Sequence, residues 1–88
     1  MKIEIRKISE HEIEEMDIRD WPVWQKEASE FDWDYSDKET CYIIEGKAKV
    51  TANGQEAEFG KGDLVIFPKG LRCRWKIIED LRKYYKLG

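Results

Sequence analysis

Polar and apolar residues alternate along much of this chain. In "FDWDYSD", residues 31–37, Phe31, Trp33 and Tyr35 interleave with Asp32, Asp34 and Ser36. A period of two predicts a strand with one aromatic and one acidic face. "LRCRWKII", residues 71–78, alternates the same way, and Ile3, Ile5 and Ile8 mark a β-like run at the N-terminus. Between these runs, "ETCYIIEGKAKVTANGQEAEFGKGDLVIFPKG" reads as several short strands punctuated by Gly46, Asn53-Gly54, Gly60, Gly62 and Pro68-Gly70. Asn53-Gly54 is the strongest hairpin signal, because both residues tolerate the positive φ of a type I′ turn. Turns every eight or so residues indicate an all-β sandwich or barrel. One helical element stands out. Ser9 with Glu12 forms a capping box for a short helical turn through Met16. Trp21 precedes Pro22 in "WPVW", which favours extended backbone at Trp21. The segment Glu79–Leu87 fits either a last strand or a short helix.

The 88 residues bound the chain to one domain, residues 1–88. A chain of this size buries roughly 60–65% of its unfolded surface, so its core is thin. Four Trp, four Tyr and three Phe offset this in part, since each buried aromatic removes roughly 150–250 Å² from water. The thin core and the open edges of a small barrel lead us to expect a homodimer, with the strand around Ile3 and Ile5 crossing to the partner.

The formal charge of −3 is unevenly placed, with −8 over residues 1–68 and +5 over residues 69–88. Overall acidity, and the acidic strand face at Asp32 and Asp34, argue against nucleic-acid binding, which needs cations to displace phosphate counterions. No apolar run reaches the roughly 18–20 residues of a membrane span, so no membrane association is expected. The start, MKIEIRKIS, has no apolar signal-peptide region, so a cytoplasmic location is expected. There Cys41 and Cys73 would be free thiols. Charged residues make up 40% of the chain, against one Asn and two Gln, a composition that fits a heat-adapted, thermostable protein.

The glycine spacing is more specific. Gly62, Pro68, Gly70 and Cys73 resemble the second motif of the cupins, with cysteine where the family usually has a histidine. Glu39 and Gly46 resemble the second half of the first cupin motif, and Trp33 and Tyr35 stand where it usually has its His-x-His pair. "WPVW", "GDLVIFPKG" and "RKYY" further resemble the small cupins grouped with ureidoglycine aminohydrolase and the ethanolamine-utilisation cupins, over about residues 20 to 86. The resemblance implies a double-sheet antiparallel jelly-roll barrel with a site inside its mouth. Residues two apart in a strand share a face. Glu39, Cys41 and Ile43 should therefore point inward together, as should Cys73, Trp75 and Ile77, with Arg72 and Arg74 pointing away.

The family's four metal-ligand positions hold Trp33, Tyr35, Glu39 and Cys73, and the one histidine, His11, lies far upstream. We expect no tightly held metal and no other cofactor. Glu39, nearly buried, needs a partner. It reads either as a general acid or base, with Tyr35 and Cys73 beside it, or as a structural carboxylate. Cys73 reads either as a nucleophile or as a small core residue, and Cys41 as core or pocket wall. Trp24, Phe31, Trp33 and Trp75 supply ring faces suited to a sugar or a flat nitrogenous metabolite, or else plain core filling. Lys83 is either a charge for the pocket or a solvated lysine. Two functions follow: an enzyme acting on a small polar metabolite without a histidine-held metal, or a non-catalytic binding or sensor module.

Overall fold

A computed structural model describes residues 1–88. Seven strands appear in chain order: β1 (Glu4–Lys7), β2 (Val23–Lys26), β3 (Ser29–Asp34), β4 (Glu39–Ala52), β5 (Gln55–Gly60), β6 (Asp63–Phe67) and β7 (Arg72–Leu87). One helix, α1 (Glu10–Glu15), and a 3-10 turn at Ile18–Asp20 lie between β1 and β2. The capping box at Ser9 and Glu12 is present and starts α1. Glu79–Leu87, which fitted strand or helix, is strand: it continues β7. No helix is long and apolar enough to cross a membrane.

The two long strands β4 and β7 form the spine, and every pairing is antiparallel. The N-terminal part of β4 pairs with β6 and its C-terminal part with β5. Likewise β3 flanks the first half of β7 and β2 the second half. The result is one sheet in two layers, β1-β6-β4-β7-β2 and β5-β4-β7-β3. The fold between layers lies where the β4–β7 register slips, from Ile43 to Ala48. Gly46 sits in this bulge at φ +95°, and a Cβ there would lie 2.3 Å from the carbonyl oxygen of Asp80. Only glycine tolerates that backbone and that approach. The bulge also changes which residues face inward. Glu39, Cys41 and Ile43 are buried before it, and Ala48, Val50 and Ala52 after it. At the far end of β4, Asn53 (φ +50°) and Gly54 (φ +75°) close the hairpin to β5.

The layers close over one apolar core. Phe59 of β5 lies 6.0 Å from Phe67 of β6 and 5.5 Å from Trp75 of β7, so rings from both layers meet. This is the antiparallel jelly-roll barrel that the cupin resemblance implies, and one of the two all-β architectures, sandwich or barrel, that the turns indicate. A second, smaller cluster was not anticipated: Ile13, Ile18 and Leu64, with Tyr42 and Tyr84 against them. The helical segment thus covers the outer face of the first layer.

In the single chain, the N-terminal run that was expected to cross to a partner pairs as β1 with β6, from Glu4↔Ile66 to Lys7↔Asp63. This pairing covers the open edge of β6, and Lys7 Nζ lies 2.8 Å from Asp63 Oδ1 at its end.

Candidate functional site in the barrel mouth

Because β4 and β7 are bent, their inward residues converge on a pocket of about 280 Å³ at one end of the barrel. Two buried charges lie in its wall. Glu39 opens β4, and Lys83 lies in the second half of β7 between Ile43 of β4 and Trp24 of β2. The Lys83 ammonium donates to Glu39 Oε2 at 2.5 Å. Their side chains are 6% and 9% exposed, so water contributes little to stabilising either charge. Ring faces complete the surroundings, since Lys83 Nζ lies 4.9 Å from the centroids of both Trp24 and Trp75.

The aromatic wall comes from β3 and the residue after it. Phe31 stacks on Trp75, with centroids 6.0 Å apart. Tyr35 is held by its backbone to the turn before β7, its N–H donating to Leu71 and its carbonyl accepting from Gly70. Its ring stacks on Phe67 at 4.8 Å, and its hydroxyl oxygen accepts from Trp75 Nε1 at 3.3 Å. Trp33 meets Tyr35 edge-on and, at 50% exposed, forms the rim.

The pocket wall contains Trp24, Phe31, Trp33, Tyr35, Glu39, Trp75 and Lys83, all singled out from the sequence, together with Tyr85 and Leu87. The last two were missed. Their signal was present: the inward parity of Cys73, Trp75 and Ile77 runs on through Leu81 and Lys83 once Glu79–Leu87 is taken as strand.

Cys41 and Cys73 do not line the pocket, which corrects their placement as ligand-binding and catalytic side chains. Cys41 is fully buried. Cys73 faces inward but turns its thiol to the carbonyl of Trp33, its register partner on β3, at 3.4 Å. Burial pushes the Cys41 thiol up to about 12; the charge of Lys83 opposes this, while Glu39 adds to it. Burial, then the charges of Asp34, Asp32 and Glu39, push Cys73 up to about 11. These are the opposite of what a nucleophilic thiolate needs. Tyr35 is likewise held protonated, chiefly by burial and then by the charge of Glu39.

The arginines flanking Cys73 face away from the pocket, as the alternation requires. Arg74 bridges Asp32 at 3.0 Å and Glu30 at 3.3 Å, so the acidic face of β3 is paired with the basic face of β7. His11 is exposed and pairs with Glu15, remote from the pocket.

The donor set does not fit the metal that the cupin resemblance brings with it. Trp33 has no ligating atom. The Tyr35 oxygen already accepts from Trp75 and keeps its proton, and the Cys73 thiol keeps its own. Glu39 is engaged by a cation belonging to the chain itself. What remains is a carboxylate–ammonium pair set among rings. It can hold a polar group of a flat ligand, or pass a proton to or from it.

Comparison with known proteins agrees with this architecture. The family described as EutQ-like cupin domain matches residues 13–85. The crystal structure of a DUF861 family protein from Thermotoga maritima superposes with a TM-score of 0.97 at 51% identity, covering 99% of this chain and 100% of that one. The Clostridium difficile EutQ protein gives a TM-score of 0.70 at 19% identity, covering 97% of this chain and 66% of the other. A curated relative, acetate kinase EutQ of Clostridioides difficile (strain 630), is 27% identical over 55 residues. That match takes in 62% of this chain and 35% of the relative, so the matched segment spans about a third of the relative's length.

Proposed function

We propose, since this chain belongs to the EutQ-like cupin family, that its barrel mouth takes a small, flat, polar metabolite, sugar or nitrogenous, and that Glu39 and Lys83 carry out acid–base chemistry on it without a histidine-held metal. One observation carries the reading: a carboxylate and an ammonium 2.5 Å apart, both nearly buried, both in the wall of an otherwise aromatic pocket. A charged pair confined to a water-poor site holds a proton donor and a proton acceptor in fixed positions, which is the arrangement general acid–base catalysis uses. Trp24, Phe31 and Trp75 supply faces for a flat ligand, and Trp33 on the rim contacts it on entry.

A second reading has an observation of its own. Tyr35 and Cys73, the other candidates for chemistry, are held in their protonated forms. That favours a module that binds its ligand and leaves it unchanged.

Three of the four Trp line the pocket, so their fluorescence reports occupancy. A panel of small sugars and nitrogenous metabolites should contain compounds that quench it, and Trp33→Ala should weaken the response. Turnover of a quenching compound, followed by NMR and abolished in folded Glu39→Gln, supports the enzyme. Quenching without turnover supports the binding module. A panel that leaves the fluorescence unchanged overturns both.

A further inference from the structure

We infer that Glu39 and the faces of Trp24 and Trp75 form a cation-binding cage, that the Lys83 ammonium is its tethered occupant, and that the cage takes a free primary alkylammonium ion once the tether is cut. The inference goes beyond the proposed function because it concerns what the cage itself selects, whichever metabolite the barrel mouth takes.

Three groups from three strands meet at one point. The Glu39 carboxylate of β4 lies 2.5 Å from Lys83 Nζ, and the ring centroids of Trp24 (β2) and Trp75 (β7) each lie 4.9 Å from it. Both indoles are within the roughly 6 Å at which a ring face attracts a cation, and desolvation strengthens that attraction. A carboxylate and two indole faces all favour positive charge at the same place. An ordinary ion pair needs only the carboxylate.

The cage also borders the pocket, because its carboxylate, its rings and Lys83 all line the wall. An ion arriving from solvent therefore has a way in. Glu39 holds the only family ligand position that keeps a metal-suited donor, and the ammonium stands beside it. The chain supplies its own cation where its other three ligand positions, Trp33, Tyr35 and Cys73, give a metal no usable donors.

Lys83→Ala keeps the Cβ and removes three methylenes and the ammonium, a fragment matched by n-propylammonium. The test is thermal unfolding of Lys83→Ala with n-propylammonium chloride, with sodium chloride at equal ionic strength, and with n-propanol. The variant should melt below the wild type and regain several degrees with n-propylammonium only, through binding to the folded state. The wild type, its cage filled, should show no such gain. Glu39→Gln/Lys83→Ala should also show none, because its carboxylate is gone. If Lys83→Ala does not fold by itself, circular dichroism should record folding on addition of n-propylammonium. An equal response to sodium or n-propanol, a response that persists in the double variant, or no response to n-propylammonium would each overturn the cage.

Discussion

Removing the Glu39 carboxylate leaves the Lys83 ammonium in an apolar pocket with only ring faces as partners. Breaking one side of a buried ion pair costs about 3–5 kcal/mol, whereas replacing both sides with apolar groups is often close to neutral. Glu39→Leu should therefore destabilise by about that amount, and Glu39→Leu/Lys83→Met should recover most of it. Urea unfolding of the two variants checks this, and equal losses in both would contradict it. The buried thiols make a prediction about pH. Cys41 and Cys73 titrate from an ordinary value of 9.0 when unfolded, but near 12 and 11 when folded. A raised value keeps the folded thiols neutral while the unfolded ones ionise. Their contribution is therefore whole below pH 9 and is lost as pH rises towards about 11 for Cys73 and about 12 for Cys41. Cys41→Ala/Cys73→Ala should show a shallower loss of stability across that interval than the wild type. An unchanged alkaline limb would show that the thiols ionise freely in the folded chain.

At the level of elements, the bulge in β4 does the most. It lets one strand serve both layers, and it aims Glu39 and Lys83 into a common space. A side chain at Gly46 would meet two backbone carbonyls, and the positive φ adds its own strain of about 1–3 kcal/mol. Gly46→Ala should thus cost about 3 kcal/mol or more, placing it among the severe single substitutions. Gly54→Ala, also at positive φ but with open space around it, isolates the backbone strain and should cost less. Comparing the two midpoints in urea tests whether the close approach at Asp80, and not the turn conformation alone, demands glycine. The motif spacing that marks this glycine in the sequence therefore has a mechanical origin.

For the whole molecule, β1 covers the free edge of β6 within the chain, and other edges stay open to a second copy. β2, β3 and β5 each have an open edge, and Val23 and Ile78 are exposed. We expect a homodimer assembled through such an edge, with a scattering mass of twice 10.5 kDa at micromolar concentration. A mass of 10.5 kDa would refute it.

The sequence alone determined an all-β sandwich or barrel, because period-two alternation, Asn53-Gly54 and the glycine turns are local signals, each tied to a backbone geometry that few residues adopt, and the resemblance of its motif spacing to the cupins selected the barrel. It also determined most of the pocket, since side-chain parity carries Glu39, Phe31, Trp33, Tyr35 and Trp75 inward by the same local rule. Local rules failed where the outcome depended on distant segments meeting. Nothing near Lys83 in the sequence says that its ammonium is buried; that follows from β7 running on through "RKYY" between β2 and β4, opposite a carboxylate 44 residues away. Cys73 faces inward as its parity requires, yet its thiol turns to a neighbouring carbonyl, a choice of rotamer that alternation does not encode. The cover of Ile13 and Ile18 over Tyr42 and Tyr84 was equally out of reach, because it depends on which sheet face the helical segment returns to. The fold was written in local backbone preferences, while the charge pair in its mouth was decided by packing, which sets the start of β4 beside the end of β7.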